Sequence, residues 1–359
     1  MSANLTKRGR LLSLDAYRGF TMFLMASAGF GFTVLADNPG WQWLAHQFMH
    51  VQWEGFVVWD LIQPSFIFIV GVAMPFAFAI RSERGESRAS QFKHAARRSL
   101  TLLIIGMAII CVHKDRLLID LTTVLQQIAI AYFFAFFVLG RGWKVQAITA
   151  VAVLAVHALL FQFGPGHGAD VYAKNANFAA WLDFTWLDRY DKGGYTSFNA
   201  FSSIATVILG IIAGEMIRSD NSEKKKVLWM IVTGLALISL GAVLHPVIPV
   251  VKRIWTSSWT LFAGGWAFLL LGTFYWAIEI KGWRRWCFIF QVVGMNSISI
   301  YVLYQMLHGS IDRWSWVFTR GFLGPMGDFG VILQAWLVLA IHWYFVYWLF
   351  KRDIFLKVG

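Results

Sequence analysis

"HVQWEGFVVWDLIQPSFIFIVGVAMPFAFAI" (50–80) joins two kinds of sequence. It opens in a Trp-rich stretch with His50 and Glu54. From Phe56 it becomes an apolar run long enough to cross a hydrocarbon core of ~30 Å as a helix. Asp60 and Gln63 stand about one turn inside that run, where an ionisable group is costly and points to a cavity or a partner.

The run is one of many. The chain has 359 residues, of which 58% are hydrophobic and 14% charged. Its mean hydropathy is +0.59. A soluble domain would carry roughly 25% charged residues. Apolar spans recur at 11–36, 56–80, 99–113, 119–139, 146–163, 198–217, 227–245, 256–279, 287–308 and 329–350. They predict an all-α polytopic integral membrane protein with about ten transmembrane helices. No Pro/Ser-rich linker or fixed-period repeat divides the chain, so residues 1–359 read as a single transmembrane domain. The first span lacks a short apolar core followed by a small-residue cleavage site, and is expected to stay as a helix.

The formal net charge of +12 raises the question of nucleic acid. The charges instead fall where topology wants them. Lys7, Arg8 and Arg10 precede the first span. Arg81, Arg84, Arg88, Lys93, Arg97 and Arg98 follow the second. Lys224, Lys225 and Lys226, then Arg284 and Arg285, then Lys351, Arg352 and Lys357 continue on the same side. The alternate loops carry fewer, among them Lys114, Arg116, Lys174 and Arg189. By the positive-inside rule both termini are expected to be cytoplasmic, and no nucleic-acid partner is expected. The bacterial cytoplasmic membrane is the expected location. Cys111 and Cys287 fall toward opposite ends of their spans and lack metal-ligand spacing, so neither a disulfide nor a metal is expected.

In this topology His50 lies at the outer side. The stretch "NPGWQWLAHQFMH" (38–50) is too short to cross the bilayer, and Trp41, Trp43 and Trp53 favour the interface. Residues 38–55 therefore read as an interfacial or re-entrant loop. Asp60 can orient the imidazole of His50 and favour its charged form, as a general base requires. Glu54 reads as a solvated loop charge.

Other polar groups stand within spans. "SLDAYRGF" (13–20) opens the first with Asp15 and Arg18 three residues apart. Ser13 reads as a helix N-cap and Asp15 as favourable beside the positive helix end. Arg18 lies deeper, either paired with Asp15 or holding a phosphate at the cytoplasmic side. Arg98 suits the same phosphate-bearing ligand. "VLQQIAIAY" holds Gln126 and Gln127, and "VVGMNSISIY" (292–301) holds Asn296 and Ser297; interhelical hydrogen bonding is the plain reading of each. "VKRIWTSSW" (251–259) puts Lys252, Trp255 and Ser258 at the outer side, as an interfacial anchor or a surface for a sugar ring.

Taken in order, "LLSLDAYRGF", the pattern H-x-x-W-x-G-x-x-x-x-D-L-x-x-P-x-F-x-F-x-x-G (50–71), "VLQQIAIAY", "KRIWTSSW", "GMNSISIY" and "KRDIFLK" resemble the transmembrane acetyltransferase family of heparan-α-glucosaminide N-acetyltransferase and its bacterial relatives. The resemblance covers about 11–357. It implies acetyl transfer from cytoplasmic acetyl-CoA to the amine of a glucosamine-like acceptor across the membrane, with O-acetyl transfer as a variant. His50 then resembles the family's active-site histidine and Asp60 its neighbouring carboxylate. Asp15, Arg18, Arg98, Gln126, Asn296 and Ser297 become candidates for the acetyl-CoA side. Trp53, Gln63, Lys252, Trp255 and Ser258 become candidates for a carbohydrate acceptor. A homodimer is left open.

The chain departs from the family pattern at several points. "LLIDLTTVLQQ" lacks the Arg-x-Pro-Gly that usually precedes the fourth span, and Gln127 replaces an Arg. "YTSFNAFSS" replaces an Asp/Pro-Glu-Gly. A family His aligns with Tyr304, while His308 lies one turn further on. These changes mark a divergent branch whose acceptor need not be glucosamine. A sugar transporter is the alternative class, since broken helices with polar groups also bind sugars; no inverted repeat accompanies it. A non-catalytic relative is the third reading.

Overall fold

The computed structural model describes residues 11–356. Lys7, Arg8, Arg10 and Lys357, invoked above for topology, lie outside them. The helices are α1 Leu12–Ala26, α2 Gln42–Gln47, α3 Ile62–Glu83, α4 Arg88–Lys114, α5 Val124–Ala135, α6 Trp143–Phe163 and α7 Phe178–Leu187. They continue with α8 Asn199–Arg218, α9 Glu223–Leu244, α10 Ser257–Tyr275, α11 Phe288–Met295, α12 Ser297–Leu323 and α13 Asp328–Lys351. No strand occurs among the described residues.

Seven of these helical segments are long and apolar enough to cross a membrane, or nine if two bent pairs each make one span. Val124–Val138 is a shorter apolar helix. Together they account for every span expected from hydropathy, and the chain is a polytopic α-helical membrane protein. A helix satisfies its own backbone hydrogen bonds, which is why apolar sequence in lipid becomes helix.

Two spans are broken where hydropathy shows only continuity. The first bends by 47° between Leu12–Ala26 and Ala28–Asp37. Gly29, Phe30 and Gly31 all take left-handed backbone there, with φ of 71°, 55° and 74°. The ninth bends by 80° between Phe288–Met295 and the helix that starts at Ser297. Asn296 sits at that break, fully buried. Its side chain donates to the Ile354 carbonyl at 3.1 Å and accepts from the Leu356 N–H at 3.4 Å.

The described chain forms two compact units. The first comprises the described residues within Met1–His50, Val57–Ile62 and Leu270–Lys357. In it α1 packs on α11 and α12 on α13, while the 28–37 segment packs on α2 and α13. The α1–α11 crossing is backbone against backbone. A side chain on Gly19 would overlap the Phe290 carbonyl, and one on Gly294 the Asp15 carbonyl. Small residues at such crossings are how helices approach closely in lipid. The N-terminus of α1 is not capped by Ser13, as the sequence suggested. Leu11 holds the cap position without a side-chain bond, and the Ser13 N–H donates to the Glu279 carboxylate at 2.9 Å.

The second unit comprises the described residues within Val51–Phe56 and Gln63–Leu269. Here α4 packs on α5, and α8 packs on α5 and α6. α3 meets α8 through Gly71 and Gly210, where any side chain would run into the facing backbone. Beneath the loop between α6 and α8, Phe161, Tyr172, Phe178, Val251 and Ile254 form a buried cluster with Trp53 and Trp181 packed on it.

Candidate active site

In residues 38–57, where the sequence predicts an interfacial or re-entrant loop at about 38–55, no helix is long enough to span a membrane. Apart from the six-residue α2 they are turns and loop, followed by a 3-10 turn over Val58–Leu61. The loop carries His50, and the turn presents Asp60. His50 Nδ1 lies 2.6 Å from Asp60 Oδ1. The Asp60 side chain is 1% exposed and that of His50 is 44% exposed. A carboxylate with its side chain buried thus holds one ring nitrogen of a histidine reachable from outside the fold. With Nδ1–H donated to the carboxylate, the ring's lone pair resides on Nε2, the atom that can take a proton or attack a carbonyl. The geometry is that of an oriented base or nucleophile.

A family profile described as heparan-alpha-glucosaminide N-acetyltransferase, catalytic, matches residues 10–242. The chain belongs to that family. It is 24% identical to the human heparan-alpha-glucosaminide N-acetyltransferase over 420 aligned positions, covering 97% of this chain and 60% of that protein. The mouse protein of the same name matches at 24% identity over 419 positions with the same coverage. The chain therefore spans about 60% of the length of the curated relatives it matches. His50 and Asp60 fall inside the profile match, whereas Asn296 and Ser297 fall beyond its end.

The other predicted residues of this family member divide between the units. In the first, Arg18 Nη1 lies 3.6 Å from Asp15 Oδ1, the i, i+3 pair expected. Asn296 holds the C-terminal segment as described, and Ser297 is the half-buried first residue of α12. Tyr304 and His308 rings are 4.7 Å apart, and His308 and His342 rings 5.4 Å apart.

In the second unit, Gln63 Nε2 donates to Gln127 Oε1 at 2.9 Å. The family resemblance leads one to expect an Arg at Gln127, and a neutral amide pair occupies the position. Gln126 is buried against Gly106 and donates to the Asp120 carbonyl at 3.1 Å. The Arg98 guanidinium lies 5.0 Å from the centre of the Tyr132 ring. Trp53 Nε1 donates to the Tyr172 carbonyl at 3.1 Å. The expected outer surface of Lys252, Trp255 and Ser258 is instead interior: they are 4%, 1% and 0% exposed. Trp255 Nε1 donates to Thr206 Oγ1, the Trp255 carbonyl accepts from Ser202, and Ser258 donates to the Pro249 carbonyl. Burial of the Trp255 ring and the hydrogen bond from Ser258 draw these side chains into the protein interior.

One constellation escaped the sequence reading. Arg189 Nε lies 3.1 Å from Asp120 Oδ2, Nη1 lies 2.8 Å from Asp183 Oδ2, and Nη2 lies 3.3 Å from Asp191 Oδ2. Burial raises the pKa of Asp120, but bonds from Thr122 and the charge of Arg189 outweigh it and hold the carboxyl below its ordinary value. For Asp183 burial prevails over the Ser197 N–H and Arg189, and the pKa is raised. The only trace in the sequence is the run "DFTWLDRYD" (183–191), which reads equally well as a solvated loop.

Proposed function

We propose that this chain is an acetyltransferase of the cytoplasmic membrane that moves acetyl from cytoplasmic acetyl-CoA to the amine of an amino sugar at the opposite face. The observation that carries this reading is the His50–Asp60 pair inside the family match. Both termini are cytoplasmic in this reading, as the Lys and Arg distribution favours.

The chemistry follows from the pair. Asp60 keeps the proton on Nδ1, so Nε2 accepts a proton from the acceptor amine as its nitrogen attacks the thioester carbonyl. The C–S bond breaks as the C–N bond forms, CoA leaves as a thiolate, and His50 can return the proton to it. Asp60 stabilises the imidazolium in between. Acylation of Nε2 ahead of the acceptor is the covalent variant. Arg18, held near Asp15, supplies charge for a CoA phosphate.

Purified protein mixed with radiolabelled acetyl-CoA and a panel of glucosamine, galactosamine and glucose tests the reading. Labelled N-acetyl product is expected from an amino sugar, with a yield roughly 10²–10⁴-fold lower from His50→Ala. Binding of sugar with no affinity for acetyl-CoA would replace acetyl transfer with sugar transport.

A further inference from the structure

The turn "GPGHG" (164–168), α7 and the 189–196 loop line a half-open cavity of about 320 Å³. It lies wholly within the second unit and contains none of the residues assigned to transfer. Its size falls in the range of small-molecule sites.

The sequence shapes this cavity in definite ways. Gly166 has a φ of +88° and abuts the Cβ of Trp181, so only glycine lets the turn close against α7. Trp181 and Phe184 contribute ring surface from α7, and Tyr190 and Tyr195 from the loop. Phe184 and Tyr190 are 64% and 67% exposed. Asn175 donates to the Tyr190 hydroxyl at 3.2 Å.

The charged lining is weighted toward acceptors, with Asp183 and Asp191 beside Arg189. Arg189 is the one cation among the lining residues. It is engaged by Asp120, Asp183 and Asp191, and it also donates to the Tyr195 carbonyl at 2.8 Å. A guanidinium so occupied offers little to an incoming phosphate, sulfate or carboxylate. Asp183 is 3% exposed. Its Oδ2 accepts from Arg189 and from the Ser197 N–H at 2.9 Å, while its Oδ1 is buried with no donor. A buried carboxylate oxygen without a donor is costly unless something supplies one. Asp191 is only half-buried at the same wall.

Flat apolar rings beside acceptor-rich carboxylates match a ligand with a C–H face and many hydroxyl donors. We propose that this cavity binds a saccharide ring, its C–H face against Phe184 and Tyr190 and its hydroxyls donating to Asp183 and Asp191. The site rests on the reading above in one respect: its ligand is of the same carbohydrate class as the proposed acceptor.

Saturation-transfer difference NMR of the full chain in detergent, without acetyl-CoA, tests this. The probes are glucose, glucosamine, N-acetylglucosamine and the disaccharides cellobiose and chitobiose, with glucuronic acid as the anionic control. Saturable binding of the uncharged or amino sugars, and weaker binding of glucuronic acid, is expected. Phe184→Ala and Tyr190→Ala remove exposed rings and should weaken it by about three- to tenfold. Asp183→Asn keeps the shape and should also weaken it, whereas His50→Ala should leave it intact. Absence of saccharide binding by the wild type overturns the proposal. So does unchanged affinity in both ring variants. Normal acetyl transfer with an unchanged KM in the ring variants sinks the cavity but spares the acetyltransferase reading. Ring-dependent sugar binding without transfer to any acceptor does the reverse.

Discussion

His50 Nδ1 and Asp60 Oδ1 meet at 2.6 Å although a loop end and a 3-10 turn carry them. A loop histidine held by a carboxylate with a buried side chain has fewer orientations available than one in solvent. Such restraint is what a reacting nitrogen needs.

His50→Ala should retain acetyl-CoA binding and lose roughly 10²–10⁴-fold in transfer. Brief mixing of wild type with labelled acetyl-CoA alone separates the two chemical routes. A general base leaves no label on the isolated protein. A nucleophile leaves label that His50→Ala lacks, with CoA released before any acceptor arrives. Asp60→Asn should slow either route. Full transfer by a folded His50→Ala protein would remove the pair from the mechanism.

If Arg18 holds a CoA phosphate as proposed, Arg18→Gln should weaken acetyl-CoA binding severalfold through loss of a charged hydrogen bond. Equilibrium binding with labelled acetyl-CoA reads this out. Unchanged affinity assigns Arg18 to Asp15 alone.

Topology can be read by cysteine labelling in a background lacking Cys111 and Cys287. Gly168→Cys is suited to the outer side because nothing lies within 4 Å of a side chain there; Gly166 is unsuited, since it abuts Trp181. Gly168→Cys should react with an impermeant maleimide in intact cells. Ala89→Cys, exposed at the start of α4, should react only after permeabilisation. The reverse pattern excludes an outer-face His50.

Gly294→Ala forces a methyl group toward the Asp15 carbonyl and should destabilise the fold by about 1–3 kcal/mol. Gly309→Ala in α12, with open space around it, should be neutral or slightly stabilising. Thermal midpoints in detergent distinguish them. Equal effects would mean that α1 and α11 do not cross at this distance.

The Asp120–Arg189 pair makes a pH-dependent contribution. Asp120 titrates below its ordinary value in the fold, so the contribution is complete above the unfolded carboxylate pKa of about 4. It is lost as pH falls through the lower folded value. Asp120→Asn should therefore cost about 1–3 kcal/mol near neutral pH and progressively less in acid. Asp183, raised by burial, has the opposite sign: its ionised form is the costly one at neutral pH. Asp183→Asn should carry the smaller neutral-pH penalty. A penalty for Asp120→Asn that does not change with pH would rule out the ion pair as its cause.

The sequence alone determined where helices form. A helix in lipid closes its hydrogen bonds within one local stretch, so hydropathy revealed each span, including the short Val124–Val138. His50 and Asp60 were legible for a similar reason, since the two are only ten residues apart. Tertiary structure decided what depended on distant chain. The 80° break at Asn296 is held by backbone 58 and 60 residues away. Trp255 and Ser258 became interior through Thr206, Ser202 and Pro249, and Arg189 reaches Asp120 across 67 or more residues of loop and helix. A side chain's donors and acceptors do not reveal which remote group will satisfy them; only packing of the helices brings those partners within reach.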